Sequence, residues 1–250
     1  MPESDASMQP NVEALTQGDV PIPRLKLGQS SFNGLWTAAG TIVEECNSEL
    51  RWPMCMHTYK KMAKDATIAP ALNLVEMAIA RVPWSVKIPE GYEEQLKDKA
   101  EFLRQVMNDM DHSWGSFIRQ ATSFNRFGFA PVEKVYRKRY KKNGSKHDDG
   151  LVGLKSLPLI AQDTVSSWEW QEGGRELAGL NQYAVEPNGK RGVMTSSWKE
   201  EFIPVKKFML IRNNPLKNNP EGESPLKSCY MSWKYKTSLE EIEAMGVSSD

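Results

Sequence analysis

The stretch SFIRQATSFNRFGFAPVEKV, residues 116–135, decides the fold class because its character changes at a single glycine. Before Gly128 the apolar residues recur at helical spacing, which predicts a helix over about 114–127. After Gly128, aromatic and β-branched residues predict strands. Glycine also suits the left-handed backbone just beyond a helix C-terminus. The segment therefore predicts an α+β fold, with helices before this point and strands after it.

The sequence upstream of this switch predicts more helices. A helical region begins near Tyr59, restarts at Pro70 and ends at Pro83. Residues 84–88 (WSVKI) predict a short strand, and a longer amphipathic helix is predicted over about 92–110.

Downstream of the switch, residues 129–211 predict an antiparallel β region with short connections. The strand candidates are 129–140, 151–157, 164–171, 180–186 and 201–211. Turn signals separate them at Asn143-Gly144, Gly173-Gly174, Pro187-Asn188-Gly189 and Gly192. Ser224-Pro225 then predicts the start of a final helical region, which is either one helix or two.

Three parts of the chain follow from these patterns. Residues 1–56 predict an extended, proline-containing arm and lead-in, and the first 35 residues either stay mobile or lie across a neighbouring subunit. Residues 57–223 predict the α+β domain, and residues 224–250 the final helical region.

Composition excludes several classes of protein. The 250 residues are 40% hydrophobic and 26% charged, which is ordinary for a globular chain, and no apolar run predicts a membrane span. The first ten residues lack a basic start and an apolar core, so they predict no secretory signal and a cytoplasmic location in the producing cell. With 32 basic and 32 acidic residues, any contact with nucleic acid must be local.

No motif predicts catalysis, a metal or a cofactor. The chain has no phosphate-binding glycine loop. Cys46, Cys55 and His57 lack zinc-ligand spacing and predict buried small side chains instead. Asp111-His112-Ser113 are adjacent and so cannot face one another as a triad. A hydrolase with dispersed paired carboxylates stays open, because the distance between such carboxylates is spatial.

One concentrated charge feature does stand out, at residues 134–142 (KVYRKRYKK). Lysines and arginines interleaved with tyrosines can contact phosphates without reading bases. The candidate DNA-contact residues are Lys134, Arg137, Lys138, Arg139, Lys141 and Lys142. Two alternatives remain: a solvated hairpin whose charges prevent edge-to-edge pairing, and a monomeric nucleic-acid-binding module that uses residues 134–146.

Several stretches together resemble the portal proteins of tailed bacteriophages, closest to the Mu-type branch. The stretches are YKKMAKD (59–65), LNLVEMAIARVPWSV (72–86), 116–135, GLKSL (153–157), FIPVKKF (202–208) and PEGESPL (220–226) followed by Trp233 and Lys234. Their order and spacing carry the resemblance, which covers about residues 57–245.

The resemblance implies a structural protein without enzymatic activity, cofactor or membrane partner. Copies, usually twelve in this family, would form a ring at one capsid vertex. That ring nucleates the prohead within the major capsid protein shell, docks terminase, passes duplex DNA and later holds head-tail adaptors. It would assemble in the host cytoplasm and end in the virion.

The resemblance also assigns parts and contacts. Residues 57–223 become the wing-like α+β domain, and residues 224–250 the start of the first stem helix. The clip, second stem helix and crown would then follow Asp250, so the chain is expected to be the N-terminal part of a portal protein. The chain has eight tryptophans. The subunit-contact candidates are Trp84, Trp168, Trp170, Tyr230 and Trp233.

Overall fold

A computed structural model describes residues 32–172, 176–184 and 199–247. The predicted arm up to residue 31, the Gly173-Gly174 turn and the turn signals between 187 and 192 lie outside these ranges. Helices and small antiparallel sheets make up the described part, which confirms the α+β class.

Six helices are found among the described residues. They are α1 (Met54–Met62), α2 (Ile68–Ala80), α3 (Glu93–Asn108), α4 (Trp114–Ala121), α5 (Phe124–Phe127) and α6 (Leu226–Val247). None of these described helices combines the length and apolar character that crossing a bilayer requires.

The structure confirms α3 closely and corrects three other predictions. α1 begins at Met54, earlier than the predicted start near Tyr59. The predicted helix over 114–127 is interrupted, and at the break the Thr122 hydroxyl donates 2.7 Å to the carbonyl of Arg119. Residues 84–88 form no strand and pair with none of the described strands; the Arg104 guanidinium of α3 donates 3.1 Å to the carbonyl of Val86.

Nine short strands are found in the described ranges, and all pair antiparallel. They are β1 (Thr37–Ala38), β2 (Thr41–Ile42), β3 (Phe129–Glu133), β4 (Val135–Lys138), β5 (Val152–Ser156), β6 (Val165–Trp170), β7 (Leu177–Ala184), β8 (Lys199–Pro204) and β9 (Phe208–Arg212). The pairings are β1–β2, β3–β9, β4–β5 and the sheet β6–β7–β8.

The predicted antiparallel region is confirmed, but two of its long strands are each divided in two. The candidate over 129–140 divides at Lys134, whose main-chain N–H donates 2.7 Å to the carbonyl of Lys207. The candidate over 201–211 divides at the short 3₁₀ turn Val205–Lys207. Because of these divisions β3 pairs with distant β9, while β4 pairs with β5.

β3 separates two hydrophobic cores. Phe129 is fully buried in the larger core, where it meets Trp52 and Trp168 edge-on. Val132 lies in the smaller core with Phe117 and other residues of α4. Positions 129 and 132 point to opposite faces of a strand, so β3 is apolar on both sides. Because both faces of β3 are buried, the residues that follow Gly128 are apolar at successive positions, and this pattern predicts the strand.

A close contact between two glycines positions α6. Gly128 and Gly222 both have positive φ, +93° and +56°. The backbone here is joined by hydrogen bonds from Asn213 N–H to Gly128 O and from Glu223 N–H to Asn213 O, both 2.8 Å. The Ser224 hydroxyl donates 2.6 Å to Arg126 O and accepts from Leu226 N–H, so it caps α6. The final helical region is one helix as far as Val247.

Candidate subunit and nucleic-acid interfaces

The basic segment, residues 134–142, lies on β4 and the turn that follows it. β4 pairs with β5, so Arg137 faces Gly153 and Lys138 faces Val152. Side chains alternate along a strand. Tyr136 and Lys138 are exposed, whereas the arginines at 137 and 139 are on the inward side.

Arg137 is held inside by two aspartates. Its guanidinium donates 2.6 Å to Asp111 Oδ1, donates to the main-chain oxygen of Asp109, and lies 3.4 Å from Asp109 Oδ2. Asp109 also accepts from the Ser145 hydroxyl and from Lys146 N–H, both at 2.7 Å. Burial would raise the pKa of Asp109, but these hydrogen bonds and the Arg137 charge outweigh it and lower the pKa.

Arg139 is buried completely. Its guanidinium donates 2.9 Å to Gln105 Oε1, lies 3.0 Å from Asp149 Oδ2, and sits 5.0 Å from the centre of the Phe102 ring. With 0% of its side chain exposed, it has no surface to offer a phosphate. Both arginines lie on the inward side of β4, with 7% and 0% of their side chains exposed, which argues against Arg137 and Arg139 as DNA contacts in this fold.

The lysines of the basic segment are placed differently. Lys138, Lys141 and Lys142 are exposed, and Lys134 is half-buried. Lys142 Nζ lies 5.3 Å from the centre of the Tyr140 ring. These four lysines stay candidates for contact with phosphates.

Two of the predicted subunit-contact aromatics belong to the interior. Trp168 is 1% exposed, and its Nε1–H donates 3.2 Å to Glu221 Oε1. Tyr230 is 2% exposed, and its hydroxyl donates 2.6 Å to Glu49 Oε2. Both side chains fill the larger core, which argues against Trp168 and Tyr230 as subunit contacts.

The other three aromatic candidates keep accessible surface. Trp170 and Trp233 are half-buried. Trp84 is 53% exposed and packs edge-on against Trp114, with ring centres 6.4 Å apart.

α2 presents an apolar surface that the sequence analysis did not predict. Leu72 packs inward, and Glu76 forms a bidentate ion pair with Arg126 at 2.5 and 2.7 Å. The opposite side of the helix, here called the α2 face, consists of Pro70, Ala71, Leu74, Met77 and Ala78, and all five are exposed. A helix that is apolar on nearly all sides is normally buried. The sequence IAPALNLVEMAIA carries that signal.

α6 has a similar unpredicted surface. Leu226 and Tyr230 pack inward, and three ion pairs anchor the helix: Lys227 with Glu45, Lys234 with Glu49, and Lys236 with Asp65. The other side, here called the α6 stripe, consists of Met231, Tyr235, Leu239 and Ile242, which are 54–67% exposed. Their spacing of four, four and three residues places them on one side of a helix.

The cysteines and His57 do not form a metal site. Cys55 is buried, and burial raises the pKa of its thiol to about 12, which keeps it neutral. Cys46 is exposed, contrary to the prediction that it is buried, and His57 is also exposed. Across the described ranges no cluster of three or more His, Cys, Asp or Glu residues is arranged to hold a metal ion.

His112 has a structural role. Its Nε2 accepts 2.8 Å from Leu157 N–H, which ties the α3–α4 connection to the end of β5. Asp111 is bound to Arg137, and the Ser113 hydroxyl caps α4 by accepting from Ser116 N–H. The three adjacent residues therefore act in separate contacts.

A cavity of about 220 Å³ lies between the lead-in, α1 and the loop before α6. Glu221 lines it, and although the residue as a whole is half-buried, its carboxyl group is surrounded by protein atoms. Burial raises the pKa of Glu221 to about 7, and the hydrogen bond from Trp168 opposes this only in part. The neutral Cys55 thiol offers no nucleophile beside it.

Comparison with known families gives a match to the model described as "Portal protein of Mu bacteriophage", over residues 56–242. That is more than half of the chain. The chain belongs to the Mu-type phage portal protein family. The matched range agrees with the resemblance found in the sequence over about 57–245, and this family is structural rather than enzymatic. No curated protein matches the chain.

Family membership changes how the exposed surfaces of this portal protein are interpreted. A solitary globular protein rarely exposes contiguous apolar surface such as the α2 face and the α6 stripe. Exposed apolar surfaces are typical of proteins that contact other chains, and portal proteins work with phage assembly partners.

Proposed function

We propose that this chain is a subunit of a portal ring at one capsid vertex. Copies of the chain, twelve in the usual case, surround a channel through which duplex DNA is packaged and later ejected. The ring contacts the major capsid protein, terminase and head-tail adaptor proteins. It assembles in the host cytoplasm and becomes part of the virion.

The observation that carries this proposal is the pair of separate apolar surfaces on one family-matched chain. A closed ring uses heterologous contacts, so each subunit needs two different patches. The α2 face and the α6 stripe lie on different helices, and both are exposed in the single chain.

The charge distribution suits a channel that DNA slides through. The whole chain has a formal net charge of zero. A strongly basic wall would bind phosphates along the whole duplex and slow its passage. Three exposed lysines at 138, 141 and 142 provide a local contact that is independent of sequence.

The ring is tested on the intact protein by mass photometry and negative-stain electron microscopy. We expect annular particles of uniform subunit number. A chain that stays monomeric at every protein and salt concentration would contradict the proposal.

The lysine contact is tested with a triple variant, Lys138→Gln, Lys141→Gln and Lys142→Gln. We expect weaker binding of a random-sequence duplex and a smaller salt dependence, by roughly 0.9 in log–log slope for each phosphate that a lysine no longer neutralises. The matched control replaces three exposed lysines elsewhere, Lys97, Lys99 and Lys206. Equal weakening in both variants would remove residues 138–142 as a specific contact.

The same measurements separate the ring from a monomeric nucleic-acid-binding module. A monomer whose duplex binding disappears in the triple variant would favour the module. An annular particle whose assembly is unchanged in the triple variant would favour the ring.

A further inference from the structure

The α2 face has the dimensions of a helix-packing site. From Pro70 to Ala78 its exposed residues recur at one-turn intervals, and Arg81 continues the row one turn later. At 1.5 Å per residue, the row from 70 to 81 is about 16 Å long. The small side chains of Ala71 and Ala78 leave room for the close approach of a second helix.

The α6 stripe has the same length, and its C-terminal end carries charge opposite to that of the α2 end. From Met231 to Ile242 it is also about 16 Å long. Glu241 and Glu243 precede and follow Ile242 in sequence. Successive helical residues are 100° apart around the axis, so these two exposed glutamates lie on the two sides of the stripe at its end. By contrast the end of α2 is basic, with exposed Arg81 and, further along, exposed Lys87.

We propose that the α2 face of one copy packs against the α6 stripe of the next copy. This contact rests on the proposed function, since it supplies the repeating interface of the ring. The stripes align with their C-terminal ends together, so that Arg81 lies at the end of the α6 stripe that Glu241 and Glu243 border. In this register Leu74 lies opposite Tyr235, and Met77 lies opposite Leu239.

Parallel contacts between identical surfaces are disfavoured by charge. Two α6 stripes packed in parallel would bring their bordering glutamates together, and two parallel α2 faces would bring their arginines together. Like charges in an interface weaken binding and suppress the wrong pairing. The heterologous contact brings opposite charges together, and only a heterologous contact closes into a ring of many copies.

Cross-linking of the full chain tests the pairing. The parent carries Cys46→Ser and Cys229→Ser, which removes the exposed thiols and leaves buried Cys55. Met77→Cys and Leu239→Cys are added singly and together, followed by a short bis-maleimide. The control pair combines Met77→Cys with Val152→Cys, an apolar residue on β5 that is 58% exposed.

The double variant Met77→Cys/Leu239→Cys is expected to give a ladder of covalent multimers, and each single variant and the control pair none. Dimers from a single variant would show an isologous contact and overturn the proposal. Rings seen by microscopy without a ladder would overturn this pairing and leave the ring intact. Absence of both rings and ladder would overturn the proposed function itself.

Charge reversal gives an independent readout. Arg81→Glu is expected to raise the protein concentration needed for assembly by about tenfold or more, the scale of a close like-charge contact. Adding Glu241→Arg and Glu243→Arg should restore assembly. Failure of this rescue, with the Arg81→Glu subunit still folded by circular dichroism, would contradict the register.

Discussion

Replacing Gly222 with alanine is expected to destabilise the chain by about 3 kcal/mol or more, because two independent penalties coincide. Gly222 has φ of +56°, a region that residues with a Cβ rarely adopt. A Cβ there would also lie 2.4 Å from Gly128 O and 2.6 Å from Asn213 O. Both are main-chain atoms, so neither can move aside as a flexible side chain could.

The destabilisation would reach α6, because the crowded junction precedes its first turn. For a chain of this size, about 3 kcal/mol corresponds to a fall in melting temperature of roughly 10 °C, measurable by differential scanning fluorimetry. Gly115→Ala is the matched control. Gly115 is helical, and nothing lies within 4 Å of an added Cβ, so its replacement should be neutral or slightly stabilising. An equally mild Gly222→Ala would show that the junction is loosely packed.

The second large effect is a dependence of stability on pH that Glu221→Gln should remove. In the unfolded chain the carboxyl titrates near its ordinary pKa of 4.5, but in the folded chain burial raises this pKa to about 7. Below pH 4.5 the group is protonated in both states and carries no penalty. Stability then falls as the pH rises from 4.5 to 7, because only the unfolded state releases its proton.

The size of this decrease follows from the separation of the two pKa values. It is on the order of 3 kcal/mol above pH 7. Glutamine keeps an oxygen that can accept the hydrogen bond from Trp168 and has no proton to release. The free energy of unfolding of Glu221→Gln minus that of the original chain should therefore grow between about pH 5 and pH 8, measured by urea titration. Glu94→Gln, an exposed carboxylate on α3, is the control. A difference independent of pH would disprove the assignment.

The burial of the arginines at 137 and 139 could not be predicted from the basic segment alone. The segment 134–142 is basic in sequence, and the strand is predictable from its composition. Which side of that strand faces inward depends on the register of β4 against β5 and on the position of α3. Asp109, Gln105 and Phe102, which hold the two arginines, come from α3 and its end, more than 25 positions away.

For the aromatic residues, too, the sequence alone does not predict which side chains are buried. Trp84 and Trp168 are the same residue type and both are candidates for subunit contact by sequence, yet they are 53% and 1% exposed. Trp168 becomes interior because β6 lies over Phe129 and beneath the loop that carries Glu221. No local pattern contains that information, since the three segments are distant in the chain.

The sequence by itself determined the α+β class, the change from helix to strand at Gly128, the cap at Ser224 and the portal family. These depend on local backbone preferences and on the order of motifs along the chain. Only the tertiary structure decided which basic side chains are neutralised inside, which aromatics are core, and that α2 and α6 each keep an apolar side exposed. The physical reason is that burial is set by contacts between segments far apart in sequence, whereas helix, strand and turn signals act over only a few residues.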